Sequence, residues 1–143
     1  MDPAAAVPML TGDLAAIDRV VTSYYDAFVR DSSEAADHYA TPALIVLRDE
    51  VRLLSTRQDV EMFLGNGLRG LTELGYAGTR MSSTRIKILT ETAGLYGCVA
   101  NRLRSNGTEL ERTAFTYLLH KGTAGWKIHL LIATDLDKLI SPD

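Results

Sequence analysis

Three strands and the turns between them can be recognised in residues 95–134, LYGCVANRLRSNGTELERTAFTYLLHKGTAGWKIHLLIAT. Apolar residues alternate with polar ones or form short runs, which is typical of strands buried on one or both faces. The NG pair at 106–107 is a strong hairpin signal, and GTAG at 122–125 marks a second break. The pattern predicts an antiparallel meander with strands over 95–104, 109–120 and 126–134.

Upstream, the sequence predicts three helices, two short strands and one more strand of the meander. The first helix begins with Asp13 as N-cap and continues to about residue 30, because apolar residues recur at three- and four-residue steps. A short helix follows over 34–39 and is stopped by Pro42. The remaining predicted elements are strands at 43–48 and 51–54, a helix from a capping box at 56–59 to about residue 75, a strand at 81–89 and a last helical turn at 135–140.

Length and composition indicate one globular α+β domain. The chain has 143 residues, of which 46% are apolar and 23% charged, and its net charge is −3. These values are ordinary for a single domain with one core. An acidic chain is a poor candidate for binding nucleic acid or an anionic membrane, so neither partner is expected.

Residues 1–12 are predicted to form a flexible arm and residues 13–140 the domain. The arm lacks the basic start and the long apolar stretch of a signal peptide, and no 18-residue apolar run is present. Cys98 is the single cysteine, so no intrachain disulfide can form. Together these features favour a cytoplasmic location.

The turns give a register for the meander. A turn at 106–107 places Arg102 opposite Glu111 and Tyr96 opposite Tyr117, and opposed residues share a face. The turn at 122–125 places Leu119 near Ile128, and a turn near Thr92 places Ile86 near Cys98 and Ser82 near Arg102. We expect the bulkier face to meet the helices. Its members are Ser82, Thr84, Ile86, Ile88, Tyr96, Cys98, Arg102, Glu111, Thr113, Phe115, Tyr117, Leu119, Trp126, Ile128, Leu130 and Ile132.

The opposite face of the sheet is smaller and mixed. It carries Leu118, His120, His129 and Leu131, and is still too apolar to be simply solvated. A sheet that is apolar on both sides needs a second cover. With the helices already used, the sequence predicts a homodimer through this outer sheet face.

The order of elements and several short motifs resemble the nuclear-transport-factor-two-like superfamily, which includes ketosteroid isomerase and the SnoaL-like polyketide cyclases. The motifs are YYDAF at 24–28, HYATPALIV at 38–46, FTYLL at 115–119 and GWKI at 125–128. The resemblance implies a cone-shaped α+β barrel, with three N-terminal helices packed on a curved, mostly antiparallel sheet. The fold hosts isomerases, dehydratases, cyclases, hydrolases and non-enzymatic modules, so it does not define an activity.

The catalytic set of ketosteroid isomerase is only partly matched. Its helix-one tyrosine, which donates to the developing oxyanion, corresponds to Tyr24. Its general base falls near Leu47, which cannot accept a proton. The resemblance therefore implies Tyr24 as a site residue but leaves the isomerase mechanism without its base.

The most reactive group on the bulky face is the pair Arg102 and Glu111, with Ser82, Thr84 and Thr113 near it. Glu111 could act as a general base if burial raises its pKa, and Arg102 could bind a polar group of a ligand. The alternative is a cross-strand ion pair with a purely structural role. Both interpretations remain open.

Three tyrosines, Tyr24, Tyr96 and Tyr117, are candidates for hydroxyl donors in a shared cavity, or else are core aromatics. His38 is either a base at the cavity mouth or a surface residue at a helix end, and Trp126 is a ligand contact or a core plug. His120 and His129 are too few to hold a structural metal ion, so no metal is expected. Cys98 is interpreted as a small core residue.

Two functions follow from these residues. The first is a small-molecule-binding or catalytic cone; as an enzyme it would isomerise, dehydrate or cyclise a hydrophobic ligand with Tyr24, Arg102, Glu111 and Tyr117. The second is a non-catalytic ligand-binding or dimeric assembly module. No phosphate loop or dinucleotide fingerprint is present, so no cofactor is expected.

Overall fold

Three helices pack against one six-stranded sheet. The structure, a computed structural model, describes the backbone of residues 3–141 and the side chains of residues 12–141. The sheet has the order β2-β1-β6-β5-β4-β3, and it is mixed because β1 runs parallel to β6 while the other neighbours are antiparallel. The predicted α+β class is confirmed. The elements are α1 (Pro3–Phe28), α2 (Ser32–Ala36), β1 (Tyr39–Val46), β2 (Val51–Leu54), α3 (Arg57–Glu73), β3 (Tyr76–Thr90), β4 (Ala93–Arg104), β5 (Glu109–Gly122) and β6 (Gly125–Thr134).

Helix α1 is longer than the sequence predicted. It begins at Pro3, ten residues before the expected N-cap Asp13, because proline is tolerated in a first turn and alanines follow it. The predicted arm over 1–12 therefore overlaps a helix; its flexibility stays a prediction, and residues 1 and 2 lie outside the described part. None of the helices in the described part of the chain combines the length and the hydrophobicity of a membrane-spanning segment.

Local sequence signals set the ends of α2 and α3. The Asp31 carboxylate accepts a hydrogen bond from the Ser33 backbone N–H at 2.8 Å, which caps α2. The predicted capping box of α3 is confirmed: Thr56 Oγ1 accepts from the Asp59 N–H at 3.1 Å, and Asp59 accepts from the Thr56 N–H at 3.2 Å. These caps satisfy N–H groups that a helix leaves without intrahelical partners.

Strand β1 differs from its prediction. It begins at Tyr39 rather than at residue 43, and it contains Pro42. The pairing of β1 with β6 shifts register between Tyr39 and Leu44. A proline fits a strand at such an irregularity because no ladder hydrogen bond is needed from its nitrogen.

The register predicted for the centre of the meander is confirmed. Arg102 pairs with Glu111 and Tyr96 with Tyr117, and Leu119 pairs with Ile128. The loop that follows β4 uses Gly107 with φ of +85°, a backbone angle that glycine adopts without steric cost. The aromatic side chains of β4 and β5 therefore share the face toward the helices, called here the inner face.

The register predicted for β3 is wrong in part. Ile86 pairs with Tyr96 instead of Cys98, and Thr79, not Ser82, lies opposite Arg102. The partner of Ile86 differs because Thr90 pairs with Ala93 and the register shifts between Ile88 and Thr90, next to the turn. The partner of Arg102 differs because of a bulge between residues 82 and 85, in which Ser83 has a φ of +52°. A bulge adds a residue to one strand and changes which side chains face the core. Ser82 consequently lies opposite Val99 and belongs to the other face of the sheet.

A second bulge changes the faces of β6. The register shifts between Leu118 and Leu119, so Leu131 pairs with Tyr117 and Leu130 with Leu118. Leu131 is therefore buried in the core, whereas Leu130 and Ile132, predicted on the inner face, lie on the outer face with Leu118. A one-residue insertion has this effect because side chains alternate along a strand.

The last residues cross the outer face of the sheet. They form a turn, in which the Lys138 N–H donates to the Asp135 carbonyl at 3.0 Å, instead of the predicted helical turn over 135–140. Ile140 lies directly over Gly97, where an added Cβ would come within 3.0 Å of Ile140 Cγ1. The chain itself therefore covers part of the face that was predicted to meet a second copy.

Candidate ligand-binding site

A cavity of about 140 Å³ lies between α1, α3 and the inner face of the sheet. Six of its thirteen lining residues are aromatic, and among the described residues that line it Arg102 is the one with a charged side chain. The wall is therefore largely apolar, with a few polar groups at defined points. The lining residues are Tyr24, Tyr25, Phe28, Leu47, Phe63, Leu64, Gly67, Leu71, Thr79, Arg102, Phe115, Tyr117 and Leu131.

The periodicity of the helices explains how they supply this wall. Tyr24 and Phe28 are four residues apart on α1 and share one face, with ring centroids 6.0 Å apart. Residues 63, 67 and 71 repeat at the same four-residue spacing along α3, and Leu64 lies beside them. Gly67 leaves a gap in this row, since a Cβ there would meet no atom within 4 Å.

The phenol groups of the cavity are neutral hydrogen-bonding groups. The Tyr25 and Tyr117 hydroxyls are 2.6 Å apart and buried. Burial raises the pKa of Tyr24 to about 12 and holds the pKa values of Tyr25 and Tyr117 well above their usual range, because a phenolate loses its hydration there. At neutral pH these groups can donate a hydrogen bond but cannot act as phenolate bases.

Arg102 stands beside the rings at one end of the cavity. Its Nη1 donates to the Glu111 carboxylate, and its guanidinium carbon lies 5.5 Å from the centroid of the Phe115 ring. The Arg102 side chain is 19% exposed and that of Glu111 is 41% exposed. The ion pair is thus partly shielded on the arginine side and open to solvent on the glutamate side.

Three of the predicted site residues come together in this cavity: Tyr24, Arg102 and Tyr117. Glu111 contacts Arg102 but does not line the cavity. Tyr96 is fully buried, and its hydroxyl lies 3.4 Å from Asp18 Oδ1, outside the lining. The structure therefore divides the predicted tyrosine group, with one of its three members held in the core.

The three polar residues predicted near Arg102 and Glu111, which are Ser82, Thr84 and Thr113, do not line the cavity. Thr84 is exposed beside the β3 bulge, and Ser82 donates to Asn101 Oδ1 at 3.0 Å on the outer face. Thr113 pairs with Ala100, and its buried Oγ1 has no hydrogen-bonding partner. None of the three lines the cavity, so their roles as ligand contacts stay predictions without support from its geometry.

Sequence reasoning missed residues that reach the cavity through the bulges or from α3. Thr79 and Leu131 line it because the bulges in β3 and β6 turn them inward. Phe63 was expected on the apolar side of α3, but nothing identified it as a site residue. Gly67 is the one available signal, since glycine inside a helix is destabilising unless space or function requires it.

His38 and Trp126 belong to a different place, a groove of about 390 Å³ between α1 and the start of β6. Burial lowers the pKa of His38, which keeps the imidazole neutral at physiological pH. The Trp126 Nε1–H points to Asp13 Oδ1 at 3.4 Å, and its ring is buried. These two residues therefore do not share the cavity with Tyr24 and Arg102.

The outer-face histidines and the cysteine show no reactive arrangement in the described residues. The His120 and His129 rings are 5.9 Å apart, and no group of three or more His, Cys, Asp or Glu in residues 3–141 could hold a metal ion. Cys98 is fully buried, and burial raises the pKa of its thiol to about 11. A thiol in this state is a core side chain and a poor nucleophile.

Helices packed over a sheet that encloses an aromatic cavity define the α+β cone fold, called cystatin-like in its structural neighbours. The family described as NTF2-like protein (DUF6841) matches residues 13–135. The chain belongs to this family. The resemblance inferred from the YYDAF and HYATPALIV motifs is thereby confirmed, together with the predicted cone-shaped α+β barrel.

Solved structures of low sequence identity share this fold. An NTF2-like protein from Novosphingobium aromaticivorans has a TM-score of 0.76 at 14% identity, over 93% of this chain and 88% of that chain. A domain from Nostoc punctiforme has a TM-score of 0.68 at 20% identity, over 87% and 77% of the two chains. A Streptomyces avermitilis protein, proposed to be a dehydratase of the NTF2-like family, has 0.70 at 15% identity, over 88% and 97%. No curated protein matches the chain.

Proposed function

We propose that this chain binds a small hydrophobic molecule in the cavity between α1, α3 and the inner face. The observation that supports this is the aromatic wall around about 140 Å³, with one guanidinium and three phenols as its main polar groups. Apolar pockets with a few convergent polar groups are the usual form of small-molecule sites. The polar groups would orient the ligand, and the rings would supply most of the contact area.

Binding without chemistry is the form of this function that the lining favours. No Asp, Glu or His is among the described lining residues, and Leu47 lines the cavity where the resemblance expects a base. An isomerase, dehydratase or cyclase would have to use Glu111 from outside the lining. The Streptomyces neighbour proposed to be a dehydratase shares the fold at 15% identity, which carries no activity over to this chain.

The proposal predicts that filling the gap at Gly67 abolishes binding. In Gly67→Leu the new side chain extends from the cavity wall into the space for the ligand. Its Cβ would have no other atom within 4 Å, so the change causes no clash there. Gly70→Leu is the matched control, because Gly70 is also on α3, also has open space, and does not line the cavity. Both changes raise helix propensity by up to about 1 kcal/mol, so neither should unfold the chain.

Toluene is a suitable probe, observed by NMR through the methyl groups of Leu64, Leu71 and Leu131, which line the cavity. We expect these methyl resonances to shift in the unchanged chain and in Gly70→Leu, and to stay in place in Gly67→Leu. Equal shifts in the two leucine variants, or no shift in the unchanged chain, would refute the cavity as a binding site.

A homodimer through the outer face is proposed as well. Leu95, Leu118 and Leu130 form a row across β4, β5 and β6, and each is partly exposed. Such a row suits a self-complementary contact between two copies. Light scattering should give twice the chain mass, and Leu118→Lys should halve the measured mass. A monomer at high concentration would contradict the proposal.

A cytoplasmic location stays a prediction.

A further inference from the structure

Arg102 has hydrogen-bonding capacity that the folded chain does not use. A guanidinium carries five N–H donors, and among the described residues Glu111 accepts from Nη1 while no protein acceptor is found for Nε or Nη2. The side chain lines the cavity and is 19% exposed. The unused edge of the guanidinium is therefore available to a group inside or at the mouth of the cavity.

An anionic group fits this edge better than a neutral one. Arg102 is the one charged side chain in the described lining, and its partner Glu111 is 41% exposed, so solvent screens the glutamate more than it screens the arginine. A carboxylate matches the fork of two N–H donors and forms charge-assisted bonds that are stronger than neutral ones. The neighbouring Tyr24 hydroxyl is a neutral donor and does not oppose a negative charge.

The size and the wall of the cavity limit the rest of the ligand. An apolar cavity of about 150 Å³ accommodates one benzene ring, and this cavity measures about 140 Å³. Aromatic side chains form nearly half of its lining, among them Phe28, Phe63 and Phe115, and rings pack against one another in edge-to-face or offset geometry. One planar ring fills the volume, while a fused polycyclic skeleton exceeds it.

We propose, on the basis of the ligand-binding function above, that the ligand is a single-ring aromatic carboxylate. Its ring lies within the aromatic wall, and its carboxylate accepts hydrogen bonds from the unused edge of Arg102. Glu111 is a positioning residue: it holds one edge of the guanidinium and, as a nearby negative charge, limits the affinity for the anion.

The test compares benzoate with benzamide, its uncharged counterpart of nearly equal shape, by calorimetric titration of the full chain at pH 7. We expect benzoate to bind about tenfold to a hundredfold more tightly. Arg102→Gln should remove that preference: benzoate affinity should fall about tenfold to a hundredfold, and benzamide affinity should fall far less, because the amide oxygen loses only a neutral hydrogen bond. Glu111→Gln should tighten benzoate several-fold, because it removes the competing charge, and should raise the ratio of benzoate to benzamide affinity by a similar factor. Thermal unfolding of each variant checks that it is folded.

The outcomes separate this inference from the function on which it rests. If benzamide and toluene bind in a Gly67-dependent way but benzoate gains nothing from Arg102, the carboxylate assignment is wrong and the binding function stands. If none of the three probes binds, both are wrong. A benzoate affinity that survives in Gly67→Leu and falls in Arg102→Gln would place the anion on the surface and overturn the proposal.

Discussion

Replacing Tyr117 by alanine should lower the free energy of unfolding by about 3–5 kcal/mol, the range for removing a large buried aromatic side chain. Tyr117 is 1% exposed and is the centre of the aromatic cluster. Its ring lies between 6.1 and 6.3 Å, centroid to centroid, from four others, those of Tyr24, Tyr25, Tyr96 and Phe115. Because α1, β4 and β5 all meet at this ring, the cavity left by its removal cannot close by moving one element.

The hydroxyl of Tyr117 can be separated from its ring by a double-mutant cycle. In the unchanged chain the Tyr25 hydroxyl lies 2.6 Å from Tyr117 Oη. Tyr117→Phe keeps the ring but leaves the Tyr25 hydroxyl without this partner, which should lower the free energy of unfolding by about 1–3 kcal/mol. In the double variant Tyr25→Phe/Tyr117→Phe both hydroxyls are absent, and most of that cost should disappear. Chemical denaturation of the four proteins measures the coupling. Additive single effects would mean that the two hydroxyls do not form a bond that stabilises the chain.

The strand register was predictable next to the NG turn, which has a clear sequence signal, and was not predictable past a bulge or next to the turn near Thr92, where the sequence does not fix the turn position. Arg102 opposite Glu111 follows from counting back a few residues from the turn at 106–107, and the structure has that pair. Thr79 opposite Arg102 lies beyond the bulge at Ser83, whose left-handed backbone is not encoded by a glycine. A serine has no strong preference that reveals such a bulge, so local chemistry could not show which side chains of β3 turn inward.

The candidate site was predictable only in the part carried by regular elements. Tyr24 and Tyr117 follow from helical and strand periodicity, and both line the cavity. Tyr96 has the same strand register, yet it lies nearer to Asp18 and is closed off in the core. Periodicity identifies the face of a residue but not its position along that face. The split between the cavity and the groove with His38 depends on how α1 and α3 pack, which is tertiary information.

The tyrosines should also make the chain unfold abruptly in alkali. All six have pKa values raised above their usual range, with burial as the main cause, whereas in the unfolded chain they ionise near pH 10. Above about pH 10 the unfolded chain has released protons that the folded chain still binds, so the free energy of unfolding falls as pH rises. The stabilisation is fully present below that pH, and each such tyrosine removes about 1.4 kcal/mol per pH unit above it.

Five tyrosines, Tyr24, Tyr25, Tyr39, Tyr96 and Tyr117, have the clearest shifts, so the combined loss should approach about 7 kcal/mol per pH unit. Since a domain has about 5–15 kcal/mol of stability, we expect absorbance at 295 nm to stay flat to about pH 10 and then rise in one step with the loss of circular dichroism. The Tyr25→Phe/Tyr117→Phe variant removes two of the five groups and should unfold at higher pH. Gradual phenolate formation near pH 10 in a chain that keeps its circular dichroism would show that the phenols are hydrated and that the aromatic wall is open to water.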